Sequence, residues 1–192
     1  MSAADRPRRA VRPRDPEGRR RAILAAALEV IAEVGVGRTT HRAVAGRAGV
    51  PLGATTYYFP SLADLVAAAL AQAHADLDVE LGTWAAHLGD GTDLPARLTR
   101  LLCGYLADRG RALTEFESYL AAARDPELRG LAMAWVDTLR QVLTPLVGDE
   151  AARSVVALLD GVALQHLATG DPFDTALVEA AVTALTTRPP GR

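Results

Sequence analysis

The residues best equipped for chemistry in this 192-residue chain are four histidines, one cysteine and a run of hydroxyls and rings between Thr39 and Ser61. His41, His74, His87 and His166 match neither HExxH nor any other His/Cys ligand spacing, and no P-loop, dinucleotide fingerprint or GxSxG elbow accompanies them. Asp160 and His166 stand six apart on one predicted helix, too far round to act as a local pair. Cys103 has no second cysteine to bridge with, which fits a reducing cytoplasm and removes thiol-rich zinc and iron–sulfur sites from consideration. No catalytic activity, metal or cofactor is expected. The segment TTHRAVAGRAGVPLGATTYYFPS has a different use. Its hydroxyls and rings suit phosphate oxygens, base edges and thymine methyl groups. Gly49 supplies a turn that glycine adopts without penalty, and Gly53 lets backbone approach a phosphate closely.

Such groups need helices to aim them. Apolar residues at Ile23, Ala27, Val30, Ile31 and Val34 predict a helix from about residue 17 to 34, closed by Gly35 and Gly37. Thr39 or Thr40 caps a second helix ending at Ala48, Leu52 to Phe59 forms a third short segment, and Ser61 caps a long fourth helix reaching about His87. Turn residues at 89–93, 108–110, 125–126, 148 and 170–172 divide the remainder into helices of about 94–107, 111–124, 127–147, 149–169 and 173–187. The expected fold is all-α with about nine helices. Two short helices around a glycine turn, behind a supporting helix, form a helix-turn-helix whose second helix enters the major groove. The spacing also fits a helical hairpin whose tyrosines fill core or surface.

Charge divides the chain unevenly. Residues 1–60 hold eleven arginines and five acids, net +6, whereas residues 61–192 hold ten arginines and eighteen acids, net −8. The basic end is the candidate polyanion-binding end. Residues 1–15, with five arginines and two prolines, read as a disordered basic arm. The longest uncharged run, Ala48 to Ala63, contains two prolines and two glycines and cannot span a membrane, which takes about 20 mostly apolar residues. The chain is expected in the cytoplasm, associated with the nucleoid when bound to DNA.

Residues 16 to about 76 resemble the DNA-binding domain of the TetR family of bacterial one-component regulators. The features that carry the resemblance are the leading helix ending at Gly35, Thr40, the AGRAGV stretch from Ala45 to Val50, Gly53, the Tyr57-Tyr58-Phe59 run and Ser61 before helix four. The resemblance implies an all-α homodimer, probing double-stranded DNA with residues 16–76 and binding a small effector with a dimerising domain at 77–188. It also implies a repressor on a palindromic operator. By the same resemblance Thr40 and His41 contact phosphates, Arg42 reaches a base edge, and Pro51, Leu52, Gly53, Thr56, Tyr57 and Tyr58 touch DNA, with Phe59 left in the core. Leu52 and Leu62 stand where many members carry polar residues or lysine. Electrostatic affinity is therefore assigned to Arg42, Arg47, Arg19 to Arg21 and the arm.

Trp84, Tyr105, Glu117, Tyr119, Trp135 and His166 are the candidate effector-pocket residues, aromatic groups with a few polar ones among Ala, Leu and Val. Ala157, Gly161 and Leu164, and Leu177, Ala181 and Leu185, form small apolar faces suited to close helix packing, and the resemblance implies that these helices pair with their copies across a twofold axis. The alternatives are a helical adaptor for another protein and a DNA-binding regulator with no small-molecule effector. The adaptor leaves the N-terminal arginines unexplained.

Overall fold

The structure is a computed structural model that describes residues 15–187. Among the described residues it contains nine α-helices: α1 (Pro16–Val34), α2 (His41–Ala48), α3 (Leu52–Tyr58), α4 (Leu62–Leu88), α5 (Leu94–Leu106), α6 (Arg109–Arg124), α7 (Arg129–Val147), α8 (Asp149–Thr169) and α9 (Thr175–Thr186). Residues 1–14 of the predicted arm lie outside the described residues. Asp15, assigned to that arm, instead caps α1: its carboxylate accepts the Gly18 N–H at 2.8 Å. An Asp followed by proline at the first helical position is a helix start, and that local chemistry overrides the basic composition around it.

The helix boundaries follow from caps and glycines. Thr40 Oγ1 accepts the Ala43 N–H at 3.1 Å and starts α2, while Ser61 and Asp64 form a reciprocal capping box at the start of α4. Gly49, at φ 65° and ψ 31°, ends α2 in the left-handed region, where a Cβ would be strained.

Two apolar cores share one helix. The first gathers Ile23, Leu24, Ala27, Val30 and Ile31 of α1 with Val44, Phe59, Leu65, Ala69 and Leu70. The second gathers Leu77, Leu81, Trp84 and Leu88 of α4 with side chains from α5 to α9, among them Leu98, Leu102, Leu139, Leu143, Val155 and Leu159. Each fully buried Leu or Ile contributes about 1.5–3 kcal/mol against exposure. α4 is about 40 Å long at 1.5 Å per residue and joins both cores without a break. Among the described residues no helix is long and apolar enough to cross a membrane, and no cluster of three or more His, Cys, Asp or Glu is arranged to hold a metal ion.

Candidate nucleic-acid interface and buried polar centre

α1 to α3 build a reading head. Val44 and Ala45 bury one side of α2 against α1. Val50 N–H donates to the Ala45 carbonyl at 3.0 Å, which folds the chain back across Gly49 and sets α3 against α2. Thr55 is fully buried, its hydroxyl donating to the Leu52 carbonyl at 2.8 Å, so the next residues on α3 turn outward. Thr40, Arg42, Pro51, Leu52, Gly53, Thr56 and Tyr57 are exposed, Tyr57 by 80%. Leaving so large a ring in water wastes its burial energy unless another surface covers it.

Three head residues have duties that their types did not announce. Tyr58 is partly buried against the first core and meets Tyr57 edge to face at 5.2 Å, so it supports its neighbour as well as facing α3's outer side. The His41 ring is partly buried, and both its nitrogens are shielded from solvent without a hydrogen-bond partner. That placement does not present the ring to a phosphate. Arg47, assigned to DNA affinity, is instead bound by α1: it pairs with Glu29 at 3.1 Å and with Glu33. Those two carboxylates raise its pKa, Glu33 foremost. Arg42 is exposed and has no ion pair among the described residues. Phe59 is buried as core, with the Arg20 guanidinium 5.4 Å from its ring centroid.

The second core contains a polar centre among rings. Tyr105 and Trp135 stack with centroids 5.4 Å apart, and Trp84 meets Trp135 edge to face at 5.8 Å. Asp160 receives hydrogen bonds from Trp135 Nε1–H and from the Tyr119 hydroxyl, both at 3.3 Å. Glu115 is 6% exposed, and its Oε1 is shielded without a hydrogen-bond partner. Burial, with help from the Asp160 charge, pushes Glu115 up to about 8. Burial also raises Asp160, although its two hydrogen bonds oppose the shift. The Tyr105 and Tyr119 hydroxyls are driven upward by burial beside these acids. Arg111 lies over the Tyr105 ring at 4.9 Å, but its charge is engaged by Glu80.

Trp84, Tyr105, Tyr119 and Trp135 thus come together, whereas Glu117 and His166 do not. The Glu117 carboxylate accepts the Val36 N–H at 2.9 Å, in the turn between α1 and α2. It sits two residues from Glu115 and Tyr119, about 200° round the helix, so it faces the opposite way. Gly35 fits beneath it at φ 81°, where a Cβ would lie 3.1 Å from both carboxylate oxygens. His166 Nδ1–H donates to the Asp171 carbonyl at 2.8 Å and its ring meets Phe173 edge to face, so it braces the α8–α9 loop. Sequence reasoning missed Glu115 as a member of the centre and took Asp160 only as a failed partner for His166. The spacing of Glu115 and Tyr119, one helical turn apart, was the signal available.

Removing the Glu117 carboxylate leaves a partly buried N–H without its partner. Glu117→Ala is expected to lower stability by about 1–2 kcal/mol, with Glu117→Gln, which keeps an acceptor, recovering most of it in urea denaturation.

On the outer faces of α8 and α9, Ala157, Leu164 and Leu177 are exposed, the two leucines by 50% and 59%, while Gly161 and Ala181 are half-buried. Leu185 is turned partly inward and packs on the second core, so it belongs only in part to that face. A Cβ on Gly161 would meet nothing within 4 Å in this chain.

Comparison with known proteins agrees with this architecture. Residues 23–69 match the family described as "Bacterial regulatory proteins, tetR family", and residues 89–188 match "Tetracyclin repressor-like, C-terminal domain". The chain belongs to the TetR family. It is therefore a helix-turn-helix transcriptional regulator of a family that binds DNA as dimers and is not enzymatic. The HTH-type transcriptional regulator BetI of Burkholderia thailandensis is 31% identical over 177 residues, covering 83% of this chain and 87% of its own. A TetR-family structure from Streptomyces coelicolor A3 superposes with a TM-score of 0.80 at 38% identity, covering 88% of this chain and 99% of that one. The multidrug binding protein EbrR complexed with ethidium superposes with a TM-score of 0.77 at 38% identity, with the same coverage.

Proposed function

We propose that this regulator is a repressor released by an aromatic small molecule, acting as a homodimer on a palindromic operator. Residues 16–76 serve as its DNA-binding unit and 77–188 as its effector-binding and dimerising unit; the change from one core to the other between Leu70 and Leu77 on α4 supports that division. The observation that carries the reading is on α6. This helix turns Glu115 and Tyr119 toward the ring-lined centre and holds the turn before α2 through Glu117. An effector displacing α6 would disturb the reading head at Val36, and α4 runs through both cores beside it. A coupling of about 1–3 kcal/mol changes operator affinity about 5- to 150-fold, provided the effector favours the conformation with the heads wrongly spaced. EbrR, seen with ethidium, proflavin and malachite green, is a relative of this chain that takes aromatic ligands.

A gel shift with DNA flanking the chain's own coding region, with and without an aromatic ligand identified by thermal shift, tests this. Retardation that the ligand relieves is expected; a ligand that binds tightly and leaves retardation unchanged overturns the release mechanism.

Within the head, Arg42→Ala is expected to cost about 1–3 kcal/mol of operator affinity and to relax preference at one base position. Arg47→Ala is expected to leave the salt dependence of binding unchanged, because its charge is already spent on Glu29 and Glu33. Fluorescence anisotropy on labelled operator at two salt concentrations checks both.

A further inference from the structure

We infer that the Glu115–Asp160 centre, ringed by Trp84, Tyr105, Tyr119 and Trp135, binds a planar organic cation, and that the cation takes its place by displacing the proton of Glu115. This rests on the ligand-responsive reading above and gives that site its chemistry. The argument starts from an imbalance of charge. Glu115 is buried and Asp160 partly buried at the edge of the apolar core, and among the described residues Asp160 is held by two neutral donors, the indole N–H and the phenol. Glu115 Oε1 has no donor among the described residues. Isolated buried carboxylates are costly, so a group in this position stays protonated until a cation arrives.

Among the described residues the groups around the pair supply no such cation. From α5 comes Tyr105, a neutral phenol whose ionisation burial opposes. α6 itself contributes Tyr119 and Arg111, and α4 contributes Glu80, which takes up the Arg111 charge. α4 also carries the buried His74, whose pKa burial lowers against the opposing charge of Asp78. α7 contributes the Trp135 indole and α8 contributes Asp160. The rings complete the specification: a cation over the faces of Trp and Tyr is attracted by their quadrupoles. The nearly parallel Tyr105 and Trp135 rings, 19° from coplanar, would open by one ring thickness to take a flat molecule between them.

The exchange balances simply. The cation enters with one positive charge, the Glu115 O–H bond breaks, and the proton passes to the buffer. The centre keeps its net charge, so the dry core never holds an additional uncompensated one. A neutral aromatic molecule could fill the same space but would release no proton.

Ethidium, whose charge is fixed at neutral pH, is the probe, with uncharged phenanthridine as its ring-system control. Binding to the full-length protein without DNA is followed by fluorescence, and proton release by calorimetry in buffers of different ionisation enthalpy. With Glu115 at about 8, ethidium should bind about 50-fold more tightly at pH 8 than at pH 6, releasing close to one proton at the lower pH. Phenanthridine affinity should stay flat. Glu115→Gln should bind ethidium at pH 8 no better than the native protein does at pH 6, with its pH dependence gone. Circular dichroism establishes that the variant folds, and the native protein's proton count decides the matter without it. A flat native profile, a retained slope in the variant, or no ethidium binding by protein that still retards its operator each overturns the inference and leaves the repressor reading standing. Proton-coupled binding that fails to change operator affinity supports the cation site and overturns the ligand-responsive reading.

Discussion

Replacing Leu164 and Leu177 together by arginine is expected to yield a folded monomer that binds its operator at least about 100-fold more weakly than the native protein. Both side chains are large, apolar and half or more exposed on neighbouring helices, so arginine at these positions leaves the second core of the same chain intact. Across a twofold axis each substitution is met by its own copy, and four introduced guanidinium groups oppose association. A monomer still reads one half-site, but it loses the gain that comes from tethering the second head at high effective concentration. Light scattering gives the oligomeric state and anisotropy gives the affinity. A variant that stays dimeric would place the interface on another face, and a monomer with native affinity would show that one head suffices.

The second large effect concerns stability. Glu115 titrates at about 8 in the folded chain, against an ordinary value of 4.5. Between those values the folded state holds a proton that the unfolded state has released. Stability is therefore greatest below about pH 4.5 as far as this group is concerned, and it falls as pH rises toward 8. The full difference corresponds to about 3–5 kcal/mol, since each tenfold change in proton affinity is worth about 1.4 kcal/mol. Asp160, also raised by burial, acts in the same direction. Glu115→Gln removes the ionisation while keeping the shape, and should unfold in urea with about 2–4 kcal/mol more stability than the native protein at pH 8 and with little difference at pH 5. Equal stabilities at pH 8 would mean that water or a rotamer change already solvates the carboxylate.

Helix positions were legible from sequence because their signals are local. Thr40, Ser61 and the glycines at 49, 89, 148 and 170 act on their own turn of backbone, and apolar spacing does the rest, whereas the Asp15 cap was hidden by the basic composition around it. Residue duties that depend on a second helix were not. Arg47 looks like a phosphate ligand until α1 is packed beside it, since Glu29 and Glu33 precede it by 18 and 14 residues. Glu117 and Glu115 differ in sequence by two places and in direction by about half a turn, and only the phase of α6 against its neighbours decides which one meets the rings. His166 passed for a pocket residue because nothing in its own helix reveals the Asp171 carbonyl waiting in the next loop. The structure does bring Trp84 and Trp135 together, because large aromatic residues in an alanine-rich chain have few other places to be buried.

No charged side chain lies between Ala48 and Ala63, so on the proposed reading α3 would meet DNA with neutral groups alone. Counterion release follows the cationic contacts and not these. As ionic strength rises, the grip on operator and on random DNA weakens together, while the part of their ratio set by α3 stays constant. Osmotic stress that concentrates ions in the cell would then lower how often the promoter is occupied while leaving the share of the choice that rests on α3 intact: on this reading occupancy is tuned by the arginines, of which Arg42 also reads a base, and the rest of the address by an uncharged helix.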